Sequence, residues 1–488
     1  MSSSSTALVW LRRDLRLADN PALQHALSVA ETVIPVYIHA PHEEAPWEPG
    51  AASLWWLHHS LGALSNDLQR LGSRLIIRSG STPECLESLL AETGATQLYW
   101  NRLYEPAVIK RDQQIKQQLR DQSIEVQSFN SALLFEPWEI TNKAGQPCKV
   151  FTPFWKTCCA QGVHRLPLPT PETLPAVDPE LTSIPLAALG LLPTLDWDTG
   201  LASSWQVGEQ GAHEALESFI DGAMHAYKED RNRPDLAGTS KLSPHLHFGE
   251  ISPLQVHSAC MRAVAEGRYP GEDRHLLHFL SEIGWREFSY HLLYHFPQTP
   301  ESPLDTRFER FPWPKTDPEQ LRAWQKGQTG IPIVDAAMRE LWHTGWMHNR
   351  VRMVVASLLS KNLQIHWLEG ACWFWDTLVD ADLANNTQGW QWTAGCGADA
   401  APYFRIFNPV LQGERFDPHG KYVRQWVPEI AGLPDNYLQK PWEAPAEVLA
   451  AAKINLGRTY PHPILDLGET RQSALQAFSA IKQPPVAS

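Results

Sequence analysis

The 488-residue chain has few cysteines, and none in an arrangement that carries structure or chemistry. Seven are scattered as Cys85, Cys148, Cys158, Cys159, Cys260, Cys372 and Cys396, with no C-x-x-C pair and no Cys/His cluster. That spacing argues against a disulfide framework, a structural zinc site and an iron–sulfur cluster, so no metal is expected. Long hydrophobic runs are also missing. No stretch approaches eighteen apolar residues, and Met1–Thr6 lacks a basic n-region and an apolar h-region, so neither a membrane span nor a secretory signal is expected and a cytoplasmic protein follows. There is no G-x-G-x-x-G after the first strand candidate, and GTSK at 238–241 lacks the G-K-[ST] ending of a P-loop. Positive charge is short as well. A formal net charge of −13 argues against coating nucleic acid through the global field, but it leaves room for a local basic groove among Arg231, Arg286, Arg350, Arg352, Arg405 and Arg415.

What the chain does have is a change of period partway along. Short β-rich runs at 7–11, 33–39, 74–79, 97–101 and 124–129 alternate with amphipathic helical runs. This predicts an α/β domain over 5–134 with a doubly wound parallel sheet of five strands, where a pocket at the strand C-termini remains open as a binding place. Seven prolines between 166 and 193 mark a Pro-rich interdomain linker, drawn over 135–205. From 206 to 478 the pattern is almost wholly helical, predicting a larger all-α C-terminal domain.

Chemistry concentrates in Thr329–Val410, where seven tryptophans between Trp342 and Trp392 are interleaved with Asn349, Arg350, Arg352, Asp380, Asp382, Asn385 and Asn386. Large rings mixed with amides and charges suit a flat, polar-edged ligand better than a packed core. If the segment is one helix, Trp342, Trp346, Asn349 and Met353 share a face. Thr239, Ser240 and Ser243, with the consecutive amides of GTSKLSP, suit a pyrophosphate. Glu282, Trp285 and Arg286 fall on one face of another helical run.

The runs GWMHNRVRM, DADLANNTQGWQW and DAAPYFRIFNP, with LVWLRRDLRLADNPAL, GTSKLSPHLHFGEISP and SEIGWREF elsewhere, resemble the photolyase/cryptochrome family, specifically class I cyclobutane pyrimidine dimer photolyases. The resemblance implies an FAD cofactor, active when reduced, in the helical domain. Its phosphates would lie on Thr239, Ser240, Lys241, Leu242 and Ser243, with Tyr227 as a further contact. Arg286, Asn349, Arg352, Asp380 and Asp382 would line the flavin, and Asn386 would face its N5. Glu282 would meet the pyrimidine carbonyl edge, Trp285 and Trp392 would form an apolar wedge, and Arg231, Asn349, Arg350 and Met353 would complete the lesion cavity. Trp390, Trp367 and Trp313 match an electron-transfer chain that reduces the excited flavin from the surface. The partner implied is UV-damaged DNA, met by a monomer that excites FAD with light and splits the dimer by electron transfer. Folate-binding members carry an Asn-Glu pair where this chain has Tyr104-Glu105-Pro106-Ala107-Val108, so the antenna chromophore is expected to be a deazaflavin rather than folate, or the site to be empty. The alternatives are a cryptochrome-type blue-light receptor without repair activity and a flavin oxidoreductase acting in the dark. The second lacks a nicotinamide fingerprint. Asn386 favours repair over signalling.

Overall fold

Hydrophobic, β-branched runs form the first layer of the computed structural model, which describes residues 5–269, 271, 273–400 and 404–482. Strands β1 (Thr6–Leu11), β2 (Thr32–His39), β3 (Ile76–Ser79), β4 (Gln97–Asn101) and β5 (Glu125–Phe129) alternate with helices α1 (Pro21–Val29), α2 (Ala51–Arg70), α3 (Thr82–Thr93) and α4 (Pro106–Asp121). All strand pairs are parallel, in the order β3-β2-β1-β4-β5. β1 is central and buried along nearly its whole length, which is why ALVWL reads as continuous apolar sequence.

The predicted linker is only partly a linker. Residues 163–185 contain no helix or strand, as the prolines require, but α5 (Phe151–Gln161) and a short helix at Thr199–Ser204 fall inside the 135–205 range. Phe154 of α5 packs on Phe288 of the long helix Asp273–His295 at 5.2 Å between ring centroids, and the Cys148 amide donates to His291 at 2.9 Å. This stretch therefore belongs to the helical body. Its single-sided apolar pattern is too short to stand out beside the prolines.

Beyond Thr199 the described chain is helical, and it is sewn to the α/β domain. Leu15 donates to the Phe248 carbonyl at 3.1 Å, Trp56 Nε1 to Glu250 at 3.1 Å, and Ser252 to Asp19. Gly50 lies against the backbone of Trp375 and Asp376, where a Cβ would come within 2.4 Å of either. No helix among the described residues is long and apolar enough to cross a membrane.

Candidate active site

The tryptophan-rich segment departs from the expected single helix. Pro332–Thr344 ends at Gly345, whose φ of +67° is the left-handed turn that favours glycine, and a new helix, Asn349–Ser357, starts with His348 as its cap. Trp342, Trp346, Asn349 and Met353 consequently do not share one helical face. Trp342 is 56% exposed and stacks on Trp373 with ring centroids 6.0 Å apart, whereas Trp346 is buried and donates Nε1 to Ser243 at 3.3 Å. The break turns Asn349, Arg350 and Arg352 onto a helix of their own.

That Trp346–Ser243 contact joins two distant predicted segments. Lys241 adopts φ +52° and places Nζ 5.3 Å from the Trp346 ring, and the Leu242 amide donates to Ser240 Oγ at 3.4 Å. The turn Thr239–Ser243 thus offers hydroxyls and amides beside a short helix, Ser243–Phe248. Tyr227 is buried behind it and packs edge-on against Phe219.

Around the segment Asp380–Asn386 the polar groups are arranged for a ring. Arg352 Nη2 reaches both oxygens of Asp380, at 2.8 and 3.0 Å, while its Nε donates to the Met347 carbonyl at 2.7 Å. Asp382 caps the helix Leu383–Ala394 through the Asn385 amide at 2.9 Å and accepts from the Tyr290 hydroxyl. Burial pushes the Asp382 carboxyl up, but His247 at 3.6 Å, Arg286 and Tyr290 outweigh it and hold the acid well below the usual carboxylate range. Asn386 donates Nδ2 to the Ala371 carbonyl at 3.0 Å, which leaves its oxygen to accept.

Glu282, Trp285 and Arg286 share a helix but meet three different partners. Glu282 pairs with Arg231, Trp285 stacks on Phe151 at 3.8 Å between centroids, and Arg286 donates to the Ala132 carbonyl at 2.7 Å while covering the Tyr290 ring. Asp399 ties the wedge together, since Trp392 donates to its carbonyl at 3.1 Å and the Phe151 amide bonds its carboxylate. Arg350 is held by Asn232 at 2.5 Å, touches Met353 Sδ at 3.8 Å and lies over Phe416. Burial, then the charges of Arg231, Arg405 and Arg415, push the Arg350 guanidinium down to about 10.

Trp390 and Trp367 are buried, and Trp313 is half-buried. Gly370 admits the Trp390 ring, because a Cβ there would meet it at 2.0 Å, one turn beyond Trp367 on the helix Trp367–Thr377. His366 stands between the other two, 5.0 Å from Trp313 and 5.5 Å from Trp367 by centroids. Sequence reasoning missed Phe151, Asn232 and His366, which carry no motif spacing of their own, and also His247 and Asp399, which lie within the runs GTSKLSPHLHFGEISP and DAAPYFRIFNP. Tyr290 had a signal, lying two turns beyond Glu282 on the same helical run. Ala401, Pro402 and Tyr403 of DAAPYFRIFNP lie outside the described residues.

Residues 7–173 match the DNA photolyase family and residues 279–480 match the FAD binding domain of DNA photolyase. A deoxyribodipyrimidine photo-lyase of Agrobacterium fabrum is 47% identical over 98% of this chain and 99% of its own. Cryptochrome-1 of Arabidopsis thaliana is 42% identical, covering 100% of this chain and 72% of that protein. A crystal structure of a bacterial class III photolyase from Agrobacterium tumefaciens superposes with a TM-score of 0.94 at 46% identity, covering 99% of both chains. The chain belongs to the DNA photolyase family, with an FAD-binding helical domain.

The residues fit that cofactor. The hydroxyls and amides of Thr239–Ser243 match phosphates, the Arg352–Asp380 pair and Asp382 match polar ring edges, and the Asn386 oxygen matches a ring N–H donor.

Proposed function

We propose that the protein is a light-dependent repair enzyme that binds cyclobutane pyrimidine dimers in DNA and splits them. The observation that carries this reading is the crowding of Arg231, Arg350, Arg405 and Arg415 beside Glu282 and Met353 in a chain of net charge −13. Like charges gathered against their own repulsion await an anion, and DNA phosphate supplies it. Glu282 and Arg231 present an acceptor and a donor to the base edges, and Trp285 and Trp392 give the apolar wall that an extruded lesion requires. Bound FAD, reduced and excited by light, supplies the electron that opens the ring. Asn386 and the Arg352–Asp380 pair would hold and orient the flavin ring, and the buried Trp367 and Trp390 would exclude water from its surroundings. The test is to incubate reduced protein with a dimer-containing oligonucleotide in light and in dark and to count restored thymines. Restoration only in light is expected, and none in light would refute the assignment.

Within the family, this reading sets the chain beside class III photolyases in place of the class I expected from its motifs. The 46% identity to the Agrobacterium tumefaciens structure over 99% of the chain supports that placement. An open cleft lies at the carboxyl ends of β1 and β2 and is lined by Trp10, Tyr37, His39, Glu44, Arg111 and Trp375. Aromatic walls and an ionic rim suit a second flat chromophore, so we place the antenna there. The absorption spectrum of the purified protein after flavin bleaching tests it, with a deazaflavin band expected over a folate band.

A further inference from the structure

His278 stands one turn before Glu282 on the long helix, and the repair reading makes no use of it. Its Nε2 is 2.8 Å from Nη1 of Arg231, and the same Nη1 donates to Glu282. One guanidinium nitrogen is therefore shared between an imidazole and a carboxylate on a single helical face. Arginine is a donor only, so the ring nitrogen that faces it must be the unprotonated one. The ring of Tyr227 closes the group, 5.6 Å from the Arg231 guanidinium and 6.1 Å from the His278 ring. Among the described residues Lys228 and Glu229 are the other charges facing His278, and Glu229 is engaged by Arg274 at 3.6 Å and His275 at 3.3 Å. With 15% of the Arg231 side chain and 27% of Glu282 accessible, the group lies at a surface that DNA can reach.

We propose that His278 is a positioning residue for lesion recognition: as the neutral imidazole it holds Arg231 across Glu282, and on protonation it lets Arg231 go. The proposal rests on the repair reading, which assigns Arg231 and Glu282 to the lesion cavity. An imidazolium has no acceptor to offer Arg231 and sets a second positive charge beside it, so the guanidinium is left on Glu282 alone against that repulsion and can turn to another anion. Burial and Arg231, joined by Lys228, hold His278 below its ordinary value against the opposing pull of Glu282 and Glu229, so release belongs to mildly acid solution. The freed charges attract any phosphate. Affinity for undamaged DNA then rises as preference for the lesion falls.

The experiment measures dissociation constants of the FAD-loaded protein for dimer-containing and undamaged oligonucleotides of one sequence. It is run in darkness at constant ionic strength from about pH 7.5 to about pH 5, a range that spans ordinary histidine titration. In the wild type the preference for the dimer is expected to fall by roughly tenfold across that range, the value of one charge-assisted hydrogen bond. His278→Gln, which retains an acceptor but does not titrate, should keep the neutral-pH preference and lose the acid step. His278→Leu should have the low preference throughout. A Gln variant that retains the acid step, or a Leu variant with wild-type preference, would overturn the proposal, and the Gln variant decides alone if the Leu variant folds poorly. A wild type without preference at any pH would overturn the repair reading and this proposal with it.

Discussion

Glu282 and Trp390 separate the two electron-transfer duties expected of this site. Glu282 is ion-paired with Arg231, and in the repair reading it meets the lesion, so its removal would cost the lesion a hydrogen bond without touching the residues assigned to FAD. Glu282→Ala is expected to leave FAD content unchanged and to lower repair per absorbed photon by roughly tenfold, the worth of one hydrogen bond to a charged group. A wild-type quantum yield in that variant would remove Glu282 from the chemistry. Trp390, by contrast, is buried against Phe374 at 5.0 Å and Trp324 at 6.2 Å, far more tightly set than Trp313. Phenylalanine keeps most of that packing but is much harder to oxidise. Trp390→Phe should therefore stop photoreduction of oxidised FAD while sparing repair once the flavin has been reduced chemically, and photoreduction at the wild-type rate would show that electrons take another route.

The elements show where sequence is legible and where it is not. All five strands lie within two residues of their expected positions. The central β1, β2 and β4 are legible because a parallel strand buried on both faces must be apolar throughout, while the half-exposed edge strands β3 and β5 are marked by short β-rich runs between helical ones. Arg352 and Asp380, which only the family resemblance brings to one place, form an ion pair at 2.8 Å. The helix break at Gly345 was not legible, because apolar spacing continues through it and only the left-handed φ and the close approach of Val379 reveal why glycine is there. Partners drawn from distant segments, such as Phe151 under Trp285 or Asn232 on Arg350, leave no periodic trace at all.

The π-helical turn Leu358–Asn362 is a further element that no pattern announced. It buries Lys361, whose Nζ lacks a hydrogen-bond partner among the described residues and lies 3.1 Å from the centre of the Phe404 ring. Burial brings the amine down to about 7, with Cys396 opposing weakly. Between that value and the ordinary lysine range the unfolded chain binds a proton that the folded chain does not, so stability from this group is complete above about 10.4 and is lost as pH falls to about 7. Lys361→Met should stabilise the fold at neutral pH by about 1–4 kcal/mol and flatten the rise in stability between neutral and alkaline solution. Urea denaturation of both proteins at several pH values checks this, and a variant less stable at neutral pH would mean the amine has a favourable partner.

At the scale of the whole molecule, an acidic protein has to bind a polyanion. The two domains are joined by contacts such as Trp56 with Glu250 and Gly50 with Asp376, so the long helix and the helix Asn349–Ser357 are carried on one packed frame. The net charge of −13 repels DNA at a distance, but beyond a Debye length of about 8 Å in physiological salt that repulsion is screened. At contact, the local cluster decides. Arg350 is crowded by Arg231, Arg405 and Arg415 and is hydrogen-bonded to the neutral Asn232 and Met353, so a phosphate that joins them relieves repulsion as well as releasing counterions. DNA affinity should therefore fall with rising salt, with a log–log slope of about −0.9 for each phosphate contacted. Arg350→Ala should flatten that slope by roughly one unit and weaken damaged and undamaged DNA alike if its side chain meets a phosphate. Titration of both oligonucleotides at four or more salt concentrations measures the slope, and a salt-independent affinity for lesion DNA would refute the basic groove and return the receptor reading to consideration.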